Sequence, residues 1–440
     1  MQNDIETRVS RKLMWRIIPL VMLLYFVSFL DRVNIGFAAL TMNRDIGLSP
    51  AAFGLGVGLF FIGYFLFEVP SNLILDRVGA RIWIARVMVT WGIVSAASAF
   101  VSGPQSFYVS RVLLGIAEAG FFPGIILYLS QWFPKRQRAV AAAWFMAAAP
   151  ISTAIGSPLS GAIMQLPPMF GLADWQILFI IEALPAVVLG FVVLRALTDS
   201  PQKAGWLADD EKTWLIDRLR EEADARSQHA GHTGAALAAL RDVRVLALAL
   251  VYFGTSAGLY TLGLWAPLII NQYGFGALQT GLLAAIPALI AVLAMIWWAR
   301  RSDRLQERTW HVVLPCVLAC VGLILAANAH GAVAIVGALV LVNVGISAAK
   351  APLWAIPSTF LSGAGAAAGI AMINSIGNLG GFVGPSAIGW LKKITGGYAA
   401  GLYVVAGTLA LSAIITLLLA RKQGGPDMHA AGTAVSSTPR

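Results

Sequence analysis

Long apolar runs separated by short polar breaks repeat along almost the whole chain of 440 residues. Each run approaches or exceeds the roughly 20 residues a helix needs to cross about 30 Å of hydrocarbon. They lack the strict alternation over about 10 residues that marks the strands of a membrane β-barrel. The runs predict twelve membrane-spanning helices, at 16–40, 52–75, 82–102, 106–130, 138–164, 174–198, 244–270, 278–300, 309–329, 332–360, 364–390 and 398–420. One break is longer than the others: residues 199–243 are polar and charged, and leave six runs on each side. The pattern therefore predicts an all-α polytopic membrane protein with 12 transmembrane helices in two six-helix halves, the layout of a transporter built from related repeats. The expected organisation is an N-terminal half over 1–198, a cytoplasmic linker loop over 199–243, a C-terminal half over 244–420 and a disordered cytoplasmic tail over 421–440.

Composition supports this class. The chain is 58% hydrophobic and 12% charged, and a soluble domain carries about twice that charged fraction. The net charge of +10 does not point to nucleic acid, because the bases cluster in the short breaks. With both termini and the linker on one side, that side holds 25 of the 31 lysines and arginines, and the other holds Arg44, Lys392 and Lys393. Such a bias predicts cytoplasmic termini. Cys316 and Cys320, four apart on one expected helix, imply no disulfide framework. The first run follows "MQNDIETRVSRKLMWR" without a small-residue cleavage site and reads as an uncleaved span. The absence of an Asn-x-Ser/Thr sequon and the Ala/Gly/Arg-rich usage suggest a bacterial inner membrane.

Seven ionisable residues fall within the expected spans: Asp31, Arg32, Glu68, Arg111, Glu118, Glu182 and Lys350. Each costs about 2.5–3.5 kcal/mol at a helix centre facing lipid, so they are expected to face one another or an aqueous cavity. Asp31 and Arg32 are adjacent and diverge by about 100° around their helix. Arg111 and Glu118, seven apart, share one face with a gap of about 10 Å that an anion or Asp31 can bridge. Arginine stays charged and grips carboxylate bidentately. None of the five histidines lies at mid-membrane, which leaves carboxylates as the proton carriers. Lys350 lies one turn before Trp354 on the same face and can meet a second carboxylate or an acid of the other half. Asn374 and Asn378 form a second one-turn pair, and unpartnered amides in a membrane are expected to face a cavity or another helix. Glu68 and Glu182, each close to a proline, read as structural, and Tyr260 and Trp265 as packing. The glycines at 377, 380, 381 and 384 are expected to allow close helix approach. A gate is expected at the cytoplasmic helix ends, from Asp76, Arg77 and Arg81 in the first half and Asp303 and Arg304 in the second, pairing across the halves and breaking on opening.

Several stretches carry a family resemblance: "FLDRVNIGFAAL", "GYFLFEVPSNLIL", "RVLLGIAEAGFFPGIILYLSQWFP", "FIIEALPAVVLG" and "GIAMINSIGNLGGFVGP". With the D-R-x-G-x-R loop at 76–81, the chain resembles the major facilitator superfamily and, within it, the anion:cation symporter family of tartrate, phthalate, hydroxyphenylacetate and sugar-acid permeases. Asn72 stands where that loop usually begins with glycine. The resemblance implies the major facilitator fold. It also implies Asp31 and Glu118 as proton-coupling acids, Arg32 and Arg111 as contacts to the substrate carboxylate or to the acids, and Tyr64, Trp354 and Asn374 as cavity residues.

The expected function is proton-driven import of an organic carboxylate by alternating access. The partners are the small anion and the lipid bilayer, with no nucleic acid, no cofactor other than the coupling proton, and a monomeric chain. An anion exchanger or a sodium-coupled carrier is the alternative reading. A membrane sensor is a remote one, and an enzyme is disfavoured because no metal-ligand cluster, nucleophile elbow or phosphate loop is present.

Overall fold

Proline and glycine set many of the points where one helix stops and the next begins. The computed structural model describes residues 2–229, 238–361 and 363–422. Helix α1 runs unbroken over Gln2–Asp45. The Ser49 side chain then accepts the Ala52 N–H at 3.2 Å and caps α2, Pro50–Val78, with Pro50 in the first turn. Gly79, at φ +94°, turns the chain into α3, Ala80–Ala97. The fourth apolar run is divided. Helix α4, Pro104–Glu118, stops, and α5, Phe121–Trp132, restarts after Gly120 at φ +84°. Helices α6, Lys135–Ile163, and α7, Asp174–Ala196, complete the first half.

The linker contains α8, Asp209–His229. The second half holds α9, Val243–Asn271; α10, Ala277–Leu305; α11, Thr309–Ala327; and α12, Ala332–Ala355. It ends with α13, Gly363–Asn378, α14, Gly380–Thr395, and α15, Ala399–Lys422. Among the described residues, 11 helical segments are long and apolar enough to cross a membrane, α4 and α5 counting as one. The remaining expected span is α13 with α14: it is split at Leu379 into two pieces of 16 residues, each too short alone. The tail over 423–440 and the linker stretch 230–237 lie outside the described residues.

The halves meet chiefly along three helix pairs: α2 on α14, α6 on α10, and α1 on α9. Small residues make the approach close. A methyl group on Gly54 would stand 2.7 Å from the Pro385 carbonyl oxygen, and one on Gly161 would stand 2.5 Å from that of Ala277. One on Gly281 would lie 2.3 Å from the Ser157 carbonyl. Ser386 Oγ donates to the Gly54 carbonyl at 3.2 Å across the same seam. All of these residues lie near the end of the bundle opposite the termini, so the halves are pressed together there.

At the terminal end the linker packs on the first half. Lys12 pairs with the buried carboxylate of Glu211 at 2.6 Å, and Arg8 with Asp210 at 3.2 Å. Trp206 stacks on Trp132 with ring centres 5.4 Å apart, over buried Leu207 and Leu215. The outward faces of the helices carry Val188, Phe191, Leu293 and Leu411 exposed, the inverse of a water-soluble surface.

Candidate functional site

The site is organised by α1. Asp31 and Arg32 diverge around the helix and reach different neighbours. The buried Asp31 carboxylate accepts hydrogen bonds from the indole N–H of Trp91, from Ser95 Oγ at 3.0 Å and from Asn34 Nδ2 at 3.2 Å. Trp91 and Ser95 stand one turn apart on α3, so one helix face supplies both donors. Arg32 points the other way. Its Nη2 and Nε lie 2.6 and 2.9 Å from Glu118 Oε1, its Nη1 donates to Tyr260 of α9 at 3.1 Å, and the Phe60 and Tyr64 rings lie 5.5 and 5.4 Å away. Ser28, one turn earlier, adds a hydrogen bond to Glu118 Oε1 at 2.6 Å.

Glu118 closes α4, where the break at Gly120 begins. Arg111, two turns earlier, is buried between the Phe107 and Phe179 rings and donates to Ser98 Oγ at 2.9 Å. Its Nε is buried without a partner. Asp31 attracts it electrostatically, without an ion pair within 4.0 Å among the described residues. On α7, Glu182 accepts from Ser160 Oγ at 2.7 Å, leaves Oε2 buried and unpartnered, and feels the Asp31 charge. The core of the first half thus gathers three carboxyls, Asp31, Glu118 and Glu182, against two guanidiniums, Arg32 and Arg111.

Other expected positions fall into two places. Glu68 of α2 accepts from Asn374 Nδ2 at 2.7 Å and Ser375 Oγ at 3.4 Å, both on α13 of the other half. Lys350 of α12 has no hydrogen bond or ion pair among the described residues. Its one-turn neighbours Ile346 and Trp354 face α9, Ile346 against Gly258 and Trp354 with its ring 5.0 Å from that of Tyr252. Lys350 therefore sits on the α12 face that looks toward α9. Asn378 ends α13 at the split and makes no side-chain hydrogen bond among the described residues.

Two of the charges expected to form a gate, Arg81 and Asp303, have partners that do not cross between the halves. Arg81 contacts Asp199 with its backbone N–H at 3.2 Å and its guanidinium at 3.6 Å. Asp303 pairs with Arg308 at 2.7 Å in its own loop. Arg77 and Arg304 are exposed in the last turns of α2 and α10. The Asp76 side chain lies outside the described residues. Trp91, Ser95 and Ser28 were not expected at the site, and their only sequence signal is polar atoms spaced one turn apart in apolar spans. Tyr260, expected as packing, bonds Arg32.

Among the described residues no group of three or more histidines, cysteines or acids is placed to hold a metal ion. Comparison with known proteins adds independent information. The family model described as Major Facilitator Superfamily matches residues 21–385. A protein of Agrobacterium vitis named "Putative tartrate transporter" is 63% identical over 421 residues, 96% of each chain. A quinolone resistance transporter of Acinetobacter baumannii is 42% identical, over 95% of this chain and 96% of its own. The crystal structure of a bacterial homolog of the human lysosomal transporter Spinster, inward-facing and unoccupied, superposes with a TM-score of 0.75 at 16% identity. It covers 92% of this chain and 96% of its own, and shows the shared fold.

Proposed function

The chain belongs to the major facilitator superfamily, and from that premise we propose that it imports a small organic carboxylate together with protons by alternating access. It is an integral membrane protein and a secondary transporter of organic anions. The tartrate named for its relatives is a fitting substrate: two carboxylates suit the two kinds of cation in the structure, the arginines of the first half and Lys350 of the second.

The observation that carries proton coupling is the charge count at α1. Three buried carboxyls face two guanidiniums, so the fully ionised cluster holds one uncompensated negative charge in a low dielectric, an expensive state. Binding one proton removes it. Glu118, when ionised, occupies Arg32; when protonated it frees that arginine for a substrate carboxylate. Asp31 and Arg111 stand in the same relation at longer range. Proton uptake and anion uptake are thereby coupled, and the loaded site turns across the membrane. The lysine and arginine distribution supports cytoplasmic termini. The closed seam at Gly54 and Gly161 then belongs to the outer face, and the conformation reads as inward-facing.

The test is transport in proteoliposomes with tartrate as probe. Asp31→Asn is expected to lose accumulation driven by an imposed pH gradient while retaining exchange of labelled for unlabelled anion. Full pH-driven accumulation by the variant sinks the role of Asp31. Wild-type uptake that follows a sodium gradient, or exchange alone, assigns the protein to the alternative coupling modes.

A further inference from the structure

Glu68 holds an unusual position. It is a buried carboxylate of the first half whose hydrogen-bond donors, Asn374 and Ser375, belong to the second. It takes no part in the carboxyl–guanidinium cluster on α1. Yet it borders the same space, because Tyr64, one turn earlier on α2, places its ring 5.4 Å from the Arg32 guanidinium, and the Arg32 charge acts on Glu68.

An ionised carboxylate only accepts hydrogen bonds. It therefore dictates which end of the Asn374 amide it meets. The NH2 must turn toward Glu68, as the 2.7 Å contact from Nδ2 shows. The amide oxygen is then left facing away. Asn374 is 9% exposed, and its Oδ1, which accepts no hydrogen bond among the described residues, keeps some access to the space beside it. An accessible, oriented acceptor cannot favour another carboxylate. It selects a donor, and the donor available on a small organic acid is a hydroxyl.

We propose that Glu68 is a positioning residue that fixes the Asn374 amide so that its oxygen reads a hydroxyl of the substrate, making the site selective for hydroxy-carboxylates over their deoxy analogues. The inference rests on the carboxylate-importer reading above and deepens it. A site with a committed acceptor rejects a ligand lacking the matching donor, because the acceptor then loses its water without replacement.

The experiment compares tartrate with succinate, which has the same chain and carboxylates but no hydroxyl, as competing substrates in proteoliposomes. Wild type is expected to prefer tartrate by roughly tenfold or more, the size of one well-placed hydrogen bond. Glu68→Leu removes the acceptor that turns the amide and is expected to erase most of that preference by raising the tartrate KM, with the succinate KM little changed. Glu68→Gln keeps an acceptor oxygen and is expected to retain the preference, an outcome that a proton-carrying role for Glu68 would not give. Asn374→Leu is expected to erase the preference by itself and to make Glu68→Leu silent in the double variant. Equal losses for tartrate and succinate in Glu68→Leu, or an unaltered preference, overturn the assignment of Glu68 and leave the importer reading standing. If Glu68→Leu does not fold, the proposal stands or falls on Glu68→Gln and Asn374→Leu: a preference unchanged by Asn374→Leu overturns it. A wild type that transports neither acid overturns both readings.

Discussion

Lys350 and Glu68 are the two intramembrane charges that the α1 cluster does not absorb, and they differ in kind. Glu68 is satisfied by neutral donors. Lys350 has no hydrogen bond or ion pair among the described residues, while Ile346 and Trp354 fix its face of α12 against α9. Lys350 is only part-buried, yet an ammonium within the membrane and without a counter-charge is costly unless a ligand brings one. Lys350→Met is therefore expected to raise the KM for a dicarboxylate by roughly tenfold or more, the worth of a charge-assisted hydrogen bond of about 1.5–3 kcal/mol. Uptake of a monocarboxylate should change little. Equal effects on both in competition assays would argue that Lys350 supports the fold instead. Part of this was legible at residue level: the seven intramembrane charges identify themselves against an apolar background. Their partners do not. The Trp91–Asp31 bond depends on α7 packing against both α1 and α3, a tertiary fact that no spacing in the sequence encodes.

At the scale of elements, the seam between α2 and α14 depends on backbones meeting without side chains between them. Gly54 faces the Pro385 carbonyl, and Gly389 faces that of Pro50 at 2.3 Å from its would-be methyl. Gly54→Leu is expected to wedge this end apart, at an overpacking cost of about 1–3 kcal/mol. With the native cysteines replaced, a cysteine introduced in place of Ser386 should then react faster with a membrane-impermeant thiol reagent added from outside. Unchanged labelling together with an unchanged melting temperature would refute the wedge. The glycine-rich character of 377–384 was readable as a close-packing signal. The split of that span at Leu379 was not, because the apolar run continues through it and no proline stands at the break.

For the whole molecule, the linker ties itself to the first half through ionic contacts outside the membrane. Glu211 illustrates their pH dependence. Burial alone would raise its pKa, but the Lys12 ammonium and the Ala208 N–H outweigh burial and hold the carboxyl below its usual range. A lowered folded-state value means that the stabilisation is complete above the unfolded value and is lost as pH falls through the folded one. Linker docking is accordingly expected to be constant from neutral pH down through mild acid and to fail only below the ordinary carboxylate range. Glu211→Gln should show faster limited proteolysis near 199–229 at neutral pH; a digestion rate equal to wild type would exclude the contact as a tether. The two-half plan was legible from the charged interruption at 199–243. What that interruption does was not: it supplies Asp199, the partner of Arg81.

The break at Gly120 carries one more consequence. An unbroken helix keeps its dipole ends at the membrane surfaces, far from a site at mid-depth. Stopping α4 at Glu118 and restarting α5 at Phe121 brings both kinds of end inside the bundle. The last carbonyls of α4 concentrate partial negative charge, about half an elementary charge in all, beside a carboxyl that is itself acidic. Left alone, that end would repel an anion. Arg32 places two nitrogens on one oxygen of the Glu118 carboxylate, which sets a positive charge beside that end. The arginine thereby offsets the negative potential that the Glu118 carboxylate and the helix terminus would otherwise present together inside the bundle.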